Sequence, residues 1–268
     1  MNQRILLLFL IVFQIVYSQT RTCGMEQQMQ ELRFNPLLKN KYKEHLRLQE
    51  LADKQVLNRI AQAPQATFYI PVAVHFPTGS NANRACLVEL AQNQIAILNN
   101  DFRGTNSDLS LWNNVSQYFP GVNTGSFDVQ FVLATQNHPA GTDSNLVNGQ
   151  PCVTIGYNFG QGSDWDSNFV GYLNFVVKNL SGGVLGYAYL ASSPSNGAAV
   201  FIDNNAFGST SSCTGFVPQS PFNKGRTLTH ELGHYLNLEH IWGDADCGND
   251  FVSDTPLHYT ANGGCPST

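Results

Sequence analysis

What this 268-residue chain lacks narrows the reading first. Only 12% of its residues are charged, and from Phe68 onward five Lys and Arg stand against fourteen Asp and Glu. A main body of net charge −9 offers no basic surface to a polyanion, which argues against nucleic acid as a partner. Beyond the first eighteen residues no apolar run approaches the roughly 18 residues that a membrane span requires. Stable membrane insertion is therefore not expected once that leader is gone. Methionine is scarce, occurring at Met1, Met25 and Met29 only, and no glutamate follows Glu239.

The leader itself has the form of a secretory signal peptide over residues 1–18. Arg4 supplies the positive start, Ile5 to Val16 the apolar core, and Val16-Tyr17-Ser18 the small-residue cleavage site before Gln19. The expected destination is extracellular. Residues Gln19 to Thr67 differ in charge from the acidic main body, with eight basic against five acidic side chains. This basic stretch could dock on the acidic body, or the two could be solvated independently. It holds a charged, helix-prone run from Leu37 to Ala61 and a breaker at Pro64, with few aromatics, and reads as a prosegment over 19–66.

The main domain is expected over 67–268, where a 42% hydrophobic content in the whole chain is ample for a core. Phe68 to Phe76 reads as its first strand, with His75 a packed strand histidine. Leu87, Ala91, Ile95, Leu98 and Phe102 recur at helical spacing, and that helix should end near Arg103-Gly104. Phe127 to Leu133 alternates as a half-buried strand, and further strands are predicted at Cys152–Tyr157, Leu173–Val177 and Ala198–Ile202. Strands interspersed with two helices give an α+β fold. The triplets beginning at Asn114 and Asn179 match the glycosylation pattern but are common by chance, and no role is assigned to them.

The stretch that organises the rest is His230 to His240, H-E-L-G-H-Y-L-N-L-E-H. His230 and His234 are four apart within helical apolar spacing set by Thr227, Leu228, Leu232 and Leu236, so both imidazoles leave one helix face a turn apart. That separation suits two ligands of one zinc ion. Glu231 points about 100° further round, too far to ligate but close enough to hydrogen-bond a water at the metal, as a general base would. In a continuous helix His240 would lie about 240° from His234, facing away, so the helix must stop between them. Asn237 can stop it by taking the left-handed conformation, which returns His240 as a third ligand and leaves a fourth position open.

With Gly225-Arg226-Thr227-Leu228 before it and Ile241-Trp242-Gly243-Asp244 after it, this HExxHxxGxxH-type pattern resembles the pappalysin family of metzincin zinc peptidases. The likeness runs from Cys23 to the end of the chain. Asn237 stands where the general motif has glycine, a departure shared by bacterial members of the cytophagalysin type. The resemblance implies a metzincin-like peptidase domain, with a mixed twisted sheet, a backing helix and an active-site helix. Its substrates would be proteins or peptides and its cofactor Zn²⁺.

Family precursors of this kind carry a Cys-Gly near the start of the prosegment, which implies Cys23 as a latency switch whose thiolate takes the open zinc position. An ordinary disulfide role for Cys23 is the competing reading. The resemblance also implies that the strand before the zinc helix, Ala198 to Asp203, is an edge that pairs with extended substrate, although a central position stays open. Asp244, Asp246, Asp250 and Asp254 lie in a Gly-containing loop and could hold Ca²⁺, or could simply form a solvated acidic loop. Metzincins continue through a methionine-containing turn after the third histidine, which this chain does not reach, so a C-terminally incomplete catalytic subdomain is expected. A switch at Cys23 leaves five other cysteines, and Cys247 or Cys265 would then pair outside the chain. The alternative from another class is a secreted adhesion or scaffold module with structural zinc, which would have no need of Glu231.

Overall fold

The computed structural model describes residues 23–59, 67–122, 124–253 and 255–261. The leader at 1–18, Asp254 and Cys265 lie outside the described residues. Two helices open the described chain, α1 (Met25–Phe34) and α2 (Lys39–Arg59). Helix α1 precedes the predicted helical run. Of its ten residues only Met25 and Leu32 are buried, a stripe too sparse to declare itself in the sequence, and Asn35-Pro36 separates it from α2.

The main domain is built on strands β1 (Phe68–Phe76), β2 (Val129–Leu133), β3 (Val153–Ile155), β4 (Leu173–Lys178), β5 (Gly186–Tyr187) and β6 (Ala199–Asp203). Its helices are α3 (Arg84–Arg103), the short α4 (Leu109–Val115) and α5 (Arg226–Tyr235). The sheet runs β2-β1-β4-β6-β5, with β3 continuing beside β1 on the flank where β2 leaves off. All pairings are parallel except β5 with β6, so the sheet is mixed. Strands β4 and β6 are buried on both faces, which explains why they read as continuous apolar runs without alternation.

The two faces of the sheet have different covers. Val72, Val74, Phe175, Val177, Val200 and Ile202 point toward α3 and α5, against Leu87, Leu90, Leu98, Leu228 and Leu232. Ala73, Val176, Ala199 and Phe201 point the other way, onto Phe159, Phe169 and Tyr187 from loops and the sheet edge. His75 is fully buried on that side, its ring 4.4 Å from Phe169, with Nδ1 2.8 Å from Thr154 Oγ1 and Nε2 3.3 Å from Asn174 Oδ1. Burial lowers its pKa to about 4, as befits a packed strand histidine. Helix α3 ends as expected, with Gly104 at φ 63°.

One expectation about the sheet is corrected. Ala199–Asp203 is not an edge, because β5 covers its outer side through Gly186 opposite Ile202 and Tyr187 opposite Phe201. Two residues, one of them glycine, carry too little pattern to announce a strand. A disulfide joins Cys86 on α3 to Cys213, 127 residues later, and so ties the backing helix to the loop that leads into α5. Cys152 is buried as a thiol, which raises its pKa to about 12.

Candidate metal centre

Helix α5 is held in place from α3. Gln94, fully buried, donates to the Gly225 carbonyl at 3.0 Å and accepts from the Gly208 amide at 2.6 Å. Gly225 takes φ 68°, and a Cβ there would lie 2.8 Å from Ile97 Cδ1, so the residue before the helix must be glycine. Asp101 on α3 accepts from Thr229 Oγ1 at 2.6 Å and pairs with Arg226 Nε at 3.0 Å. Burial tends to raise the Asp101 pKa while Thr229 and Arg226 oppose it. These contacts fix the rotation of α5, and with it the direction of His230 and His234.

The helix ends at Tyr235, and Asn237 takes φ 74°. The Leu238 amide donates to the Gly233 carbonyl at 2.9 Å and the Asn237 amide to the His234 carbonyl at 2.8 Å, the paired bonds of a Schellman ending. The expected turn at Asn237 is therefore present, and it brings His240 back beside the helix. The His240 ring centroid is 5.3 Å from that of His230 and 4.6 Å from that of His234.

Cys23, His230, His234 and His240 each offer a ligand atom, and these four atoms all lie within 4.8 Å of one another. The Nε2 atoms of His230 and His234 are 3.1 Å apart, and Cys23 Sγ is 3.4 Å from His234 Nε2. Two nitrogens at zinc bonds of about 2.0–2.1 Å in a tetrahedron are separated by roughly 3.3 Å, and a nitrogen and a thiolate by roughly 3.6 Å. The donor set fits a tetrahedral zinc.

The second ring nitrogens support that fit. His234 Nδ1 lies 2.7 Å from the Leu238 carbonyl, which as an acceptor requires the proton on Nδ1 and leaves Nε2 bare. His240 Nδ1 lies 2.5 Å from Asp244 Oδ1, which does the same for the third ring. Trp242 stacks on His240 with centroids 4.2 Å apart and planes 7° from parallel. Reading the motif alone misses these supports. Asp244 follows His240 by four residues, and that spacing was the signal available.

Glu231 is fully buried, with Oε2 3.5 Å from Cys23 Sγ and Oε1 4.0 Å from His230 Nε2. Its Cγ faces Gly186 of β5, where an added Cβ would lie 2.7 Å away. Cys23 reaches the centre because its own backbone pairs, parallel, with Gly186, and because the Gly24 amide donates to the Gly186 carbonyl at 2.9 Å. A Cβ on Gly24 would lie 3.0 Å from Val184 Cγ1 and 3.2 Å from Tyr187 Cβ, which explains the glycine that follows the cysteine.

Of the four aspartates that could hold calcium, Asp254 lies outside the described residues, and Asp244, Asp246 and Asp250 form no group of close metal-capable side chains with one another. Asp244 is engaged by His240, and burial raises its pKa. Asp250 accepts from the Val252 amide at 3.1 Å, and Asp246 is exposed. The other group of close metal-capable side chains among the described residues is Glu26, His240 and Asp244, which shares the third histidine. The backbone here closes on itself, with the Cys247 amide donating to the Tyr259 carbonyl at 2.9 Å.

Comparison with known proteins agrees with this geometry. Residues 161–264 match the model of peptidase family M43, described as pregnancy-associated plasma protein-A. The chain is similar to mature mirolysin of Tannerella forsythia in complex with a cleaved peptide, at 33% identity and TM-score 0.56, covering 76% of this chain and 77% of that one. It is also similar to a promirolysin mutant of the same organism, at 31% identity and TM-score 0.58, covering 92% and 80%. An extracellular metalloprotease of Arthroderma otae is 34% identical over 99 residues, so the match spans about a third (34%) of that relative's length. One from Colletotrichum graminicola is 25% identical over 236 residues, covering 83% of this chain and 71% of the relative. The extracellular setting of these relatives accords with the extracellular destination expected from the sequence, and no described helix is long and apolar enough to cross a membrane. The chain belongs to the pappalysin family of metzincin-type metallopeptidases.

Proposed function

We propose that the chain is a secreted zinc endopeptidase made as a latent precursor, with residues 19–66 as prosegment and the domain from residue 67 as the catalytic unit. His230, His234 and His240 would hold the metal. Zinc, when bound, supplies Lewis acidity that favours deprotonation of water near neutral pH and polarises a scissile carbonyl. Glu231 takes the proton of the attacking water at its carboxylate and hands it to the departing amine. Leu238 and Asp244 hold the His234 and His240 rings in the tautomer that presents Nε2.

In the precursor, Cys23 would serve as a further thiolate ligand to the metal, and its Sγ lies 3.5 Å from Glu231 Oε2, in the way of a substrate. Pairing at Gly186 sets its depth. An extended protein or peptide substrate would take over the same edge once the segment has left, using the backbone groups of β5 that now serve Cys23 and Gly24. The observation that carries this reading is the meeting of Cys23 Sγ, three histidine nitrogens and the Glu231 carboxylate in one small volume.

The test is hydrolysis of a casein-like substrate with and without a zinc chelator, alongside Glu231→Ala. The variant should keep its zinc and lose about 10²–10⁴-fold in turnover, the range for a lost general base. Chelator-insensitive hydrolysis, or wild-type turnover by the zinc-loaded variant, would refute the assignment. Cys23→Ala should give measurable activity before the prosegment is cut, and unchanged latency would return Cys23 to a structural role.

A further inference from the structure

Beside the metal centre lies a second structured site that none of the roles above requires. Trp165 and Tyr189 stack with centroids 4.7 Å apart. Asp164 accepts from the Tyr187 hydroxyl at 3.0 Å and from the Tyr189 hydroxyl at 2.7 Å. The backbone of this stretch is bound to the sheet, since the Ala199 amide donates to the Asp164 carbonyl at 3.2 Å and Trp165 bridges to Ala198. Aromatic faces and a carboxylate are thus fixed by the domain's own bonds, independently of the N-terminal helices.

The occupant of this cradle is a cation. Lys41 of α2 sets its ammonium 3.8 Å from the Trp165 ring centroid and donates to Ser163 Oγ at 2.8 Å. Partial burial lowers the Lys41 pKa, while the nearby Asp164 charge acts to raise it. Gln28 of α1 closes the cradle from above by accepting from Tyr189 at 3.2 Å. All of these partners leave if the N-terminal segment leaves.

The cradle is in line with the edge that substrate would use. Strand β5 starts at Gly186, beside Glu231, and the chain reaches Tyr189 three residues later, a distance of about 10 Å in extended backbone. A substrate pairing antiparallel to β5, the slightly more stable arrangement, runs its amino-terminal half toward Tyr189. We infer that the cradle of Asp164, Trp165 and Tyr189 is a substrate subsite for a lysine or arginine side chain, about three to four residues to the amino-terminal side of the scissile bond, and that Lys41 fills it in the precursor. This rests on the peptidase reading above and names a substrate class for it.

The experiment uses the protein cut between residues 59 and 67 and separated from its N-terminal segment. The probes are fluorogenic peptides of one sequence in which a single lysine or alanine is walked through the five positions before the cleavage point. One of the third to fifth positions should favour lysine by about five- to thirty-fold in kcat/KM, mainly through KM, as a partly desolvated cation on an aromatic face implies. The preference should collapse in Trp165→Leu, shrink in Asp164→Asn and survive in Trp165→Phe. Equilibrium binding of the same peptides to the Glu231→Ala protein gives an independent readout. Lysine-dependent binding without turnover in the wild-type protein would sink the peptidase reading and leave the cradle standing. Turnover with no lysine preference in rate or binding, or a preference untouched by Trp165→Leu, would overturn the cradle and leave the peptidase, and absence of both binding and turnover would overturn both.

Discussion

Gly186→Ala is the substitution whose effect can be worked most directly from the structure. A Cβ at this position would lie 2.7 Å from Glu231 Cγ and 3.0 Å from both Ile202 Cδ1 and the Phe201 carbonyl oxygen. Gly186 does not have a positive φ, so alanine meets no backbone penalty and the whole effect is steric. Glu231 Cγ is mid-chain in a fully buried side chain, and the Phe201 oxygen is backbone inside the sheet, so neither can give way without moving something else. Overpacking of this kind costs about 1–3 kcal/mol. For a domain of this size that corresponds to a Tm lowered by about 2–12 °C. Displacing the Glu231 carboxylate by an ångström would lower kcat/KM by about 10²-fold. Zinc content should not change, because the added Cβ meets Glu231, Ile202 and Phe201 and no histidine. The assay is thermal unfolding by circular dichroism together with peptide hydrolysis and metal analysis on the same preparation. A variant that melts and turns over like the parent would show that β5 is free to retreat from α5, and the contact between Gly186 and Glu231 would then have no functional meaning.

Three further outcomes are expected. Asn237→Gly should bind zinc as the parent does, whereas Asn237→Val should bind it far less well, since a β-branched residue is an outlier at φ 74°; equal chelator competition by the two variants would show that the turn does not depend on this residue. Asp244→Asn should weaken zinc binding by about 10–100-fold, the usual cost of losing a carboxylate that orients a ligating histidine, and an unchanged affinity would remove Asp244 from the site. His75, with its pKa lowered to about 4 by burial, makes stability depend on pH between that value and the ordinary 6.5 or so. In this window the unfolded chain binds a proton that the native protein refuses, so stability falls as pH falls, by up to about 3 kcal/mol. Denaturant titrations of His75→Gln between pH 4 and 7 should show a flatter slope than the parent, and parallel slopes would assign the proton elsewhere.

The histidine cluster was legible because its chemistry is local. Four-residue spacing on one helix and a turn-former before the third histidine are facts about a short stretch of chain, and Asn237 adopts the conformation that its side chain tolerates. Strands β1, β4 and β6 were legible for the same reason, being apolar runs long enough to stand out. What was hidden depends on contacts between distant segments. Gly186–Tyr187 has no pattern of its own and is a strand only because Phe201 and Ile202 lie opposite. The disulfide between Cys86 and Cys213 is set by where α3 packs, which spacing alone does not encode. Asp244 looked like one of a set of calcium ligands because acidic residues cluster in sequence there, but the backbone turns it to His240 instead. Cys23 was singled out from its neighbour Gly24, yet the reason for that glycine, close approach to Val184 and Tyr187, appears only when the sheet edge is built.

The pairing of Cys23 and Gly24 with Gly186 also bears on how the protein avoids sticking to copies of itself. An uncovered β5 would present backbone amides and carbonyls beside the aromatic side chains of Tyr187 and Tyr189, a template on which another chain could add a strand. While the N-terminal segment is attached, the Gly186 carbonyl is bonded to the Gly24 amide, and the hydroxyl of Tyr189 is turned toward Gln28 and Asp164. With the N-terminal segment in place, this edge is thus already capped at Gly186. If Cys23 acts as the proposed latency switch, capping of this edge and occupation of the metal centre come from one stretch of backbone, and loosening that stretch to activate the protein would also increase its tendency to aggregate.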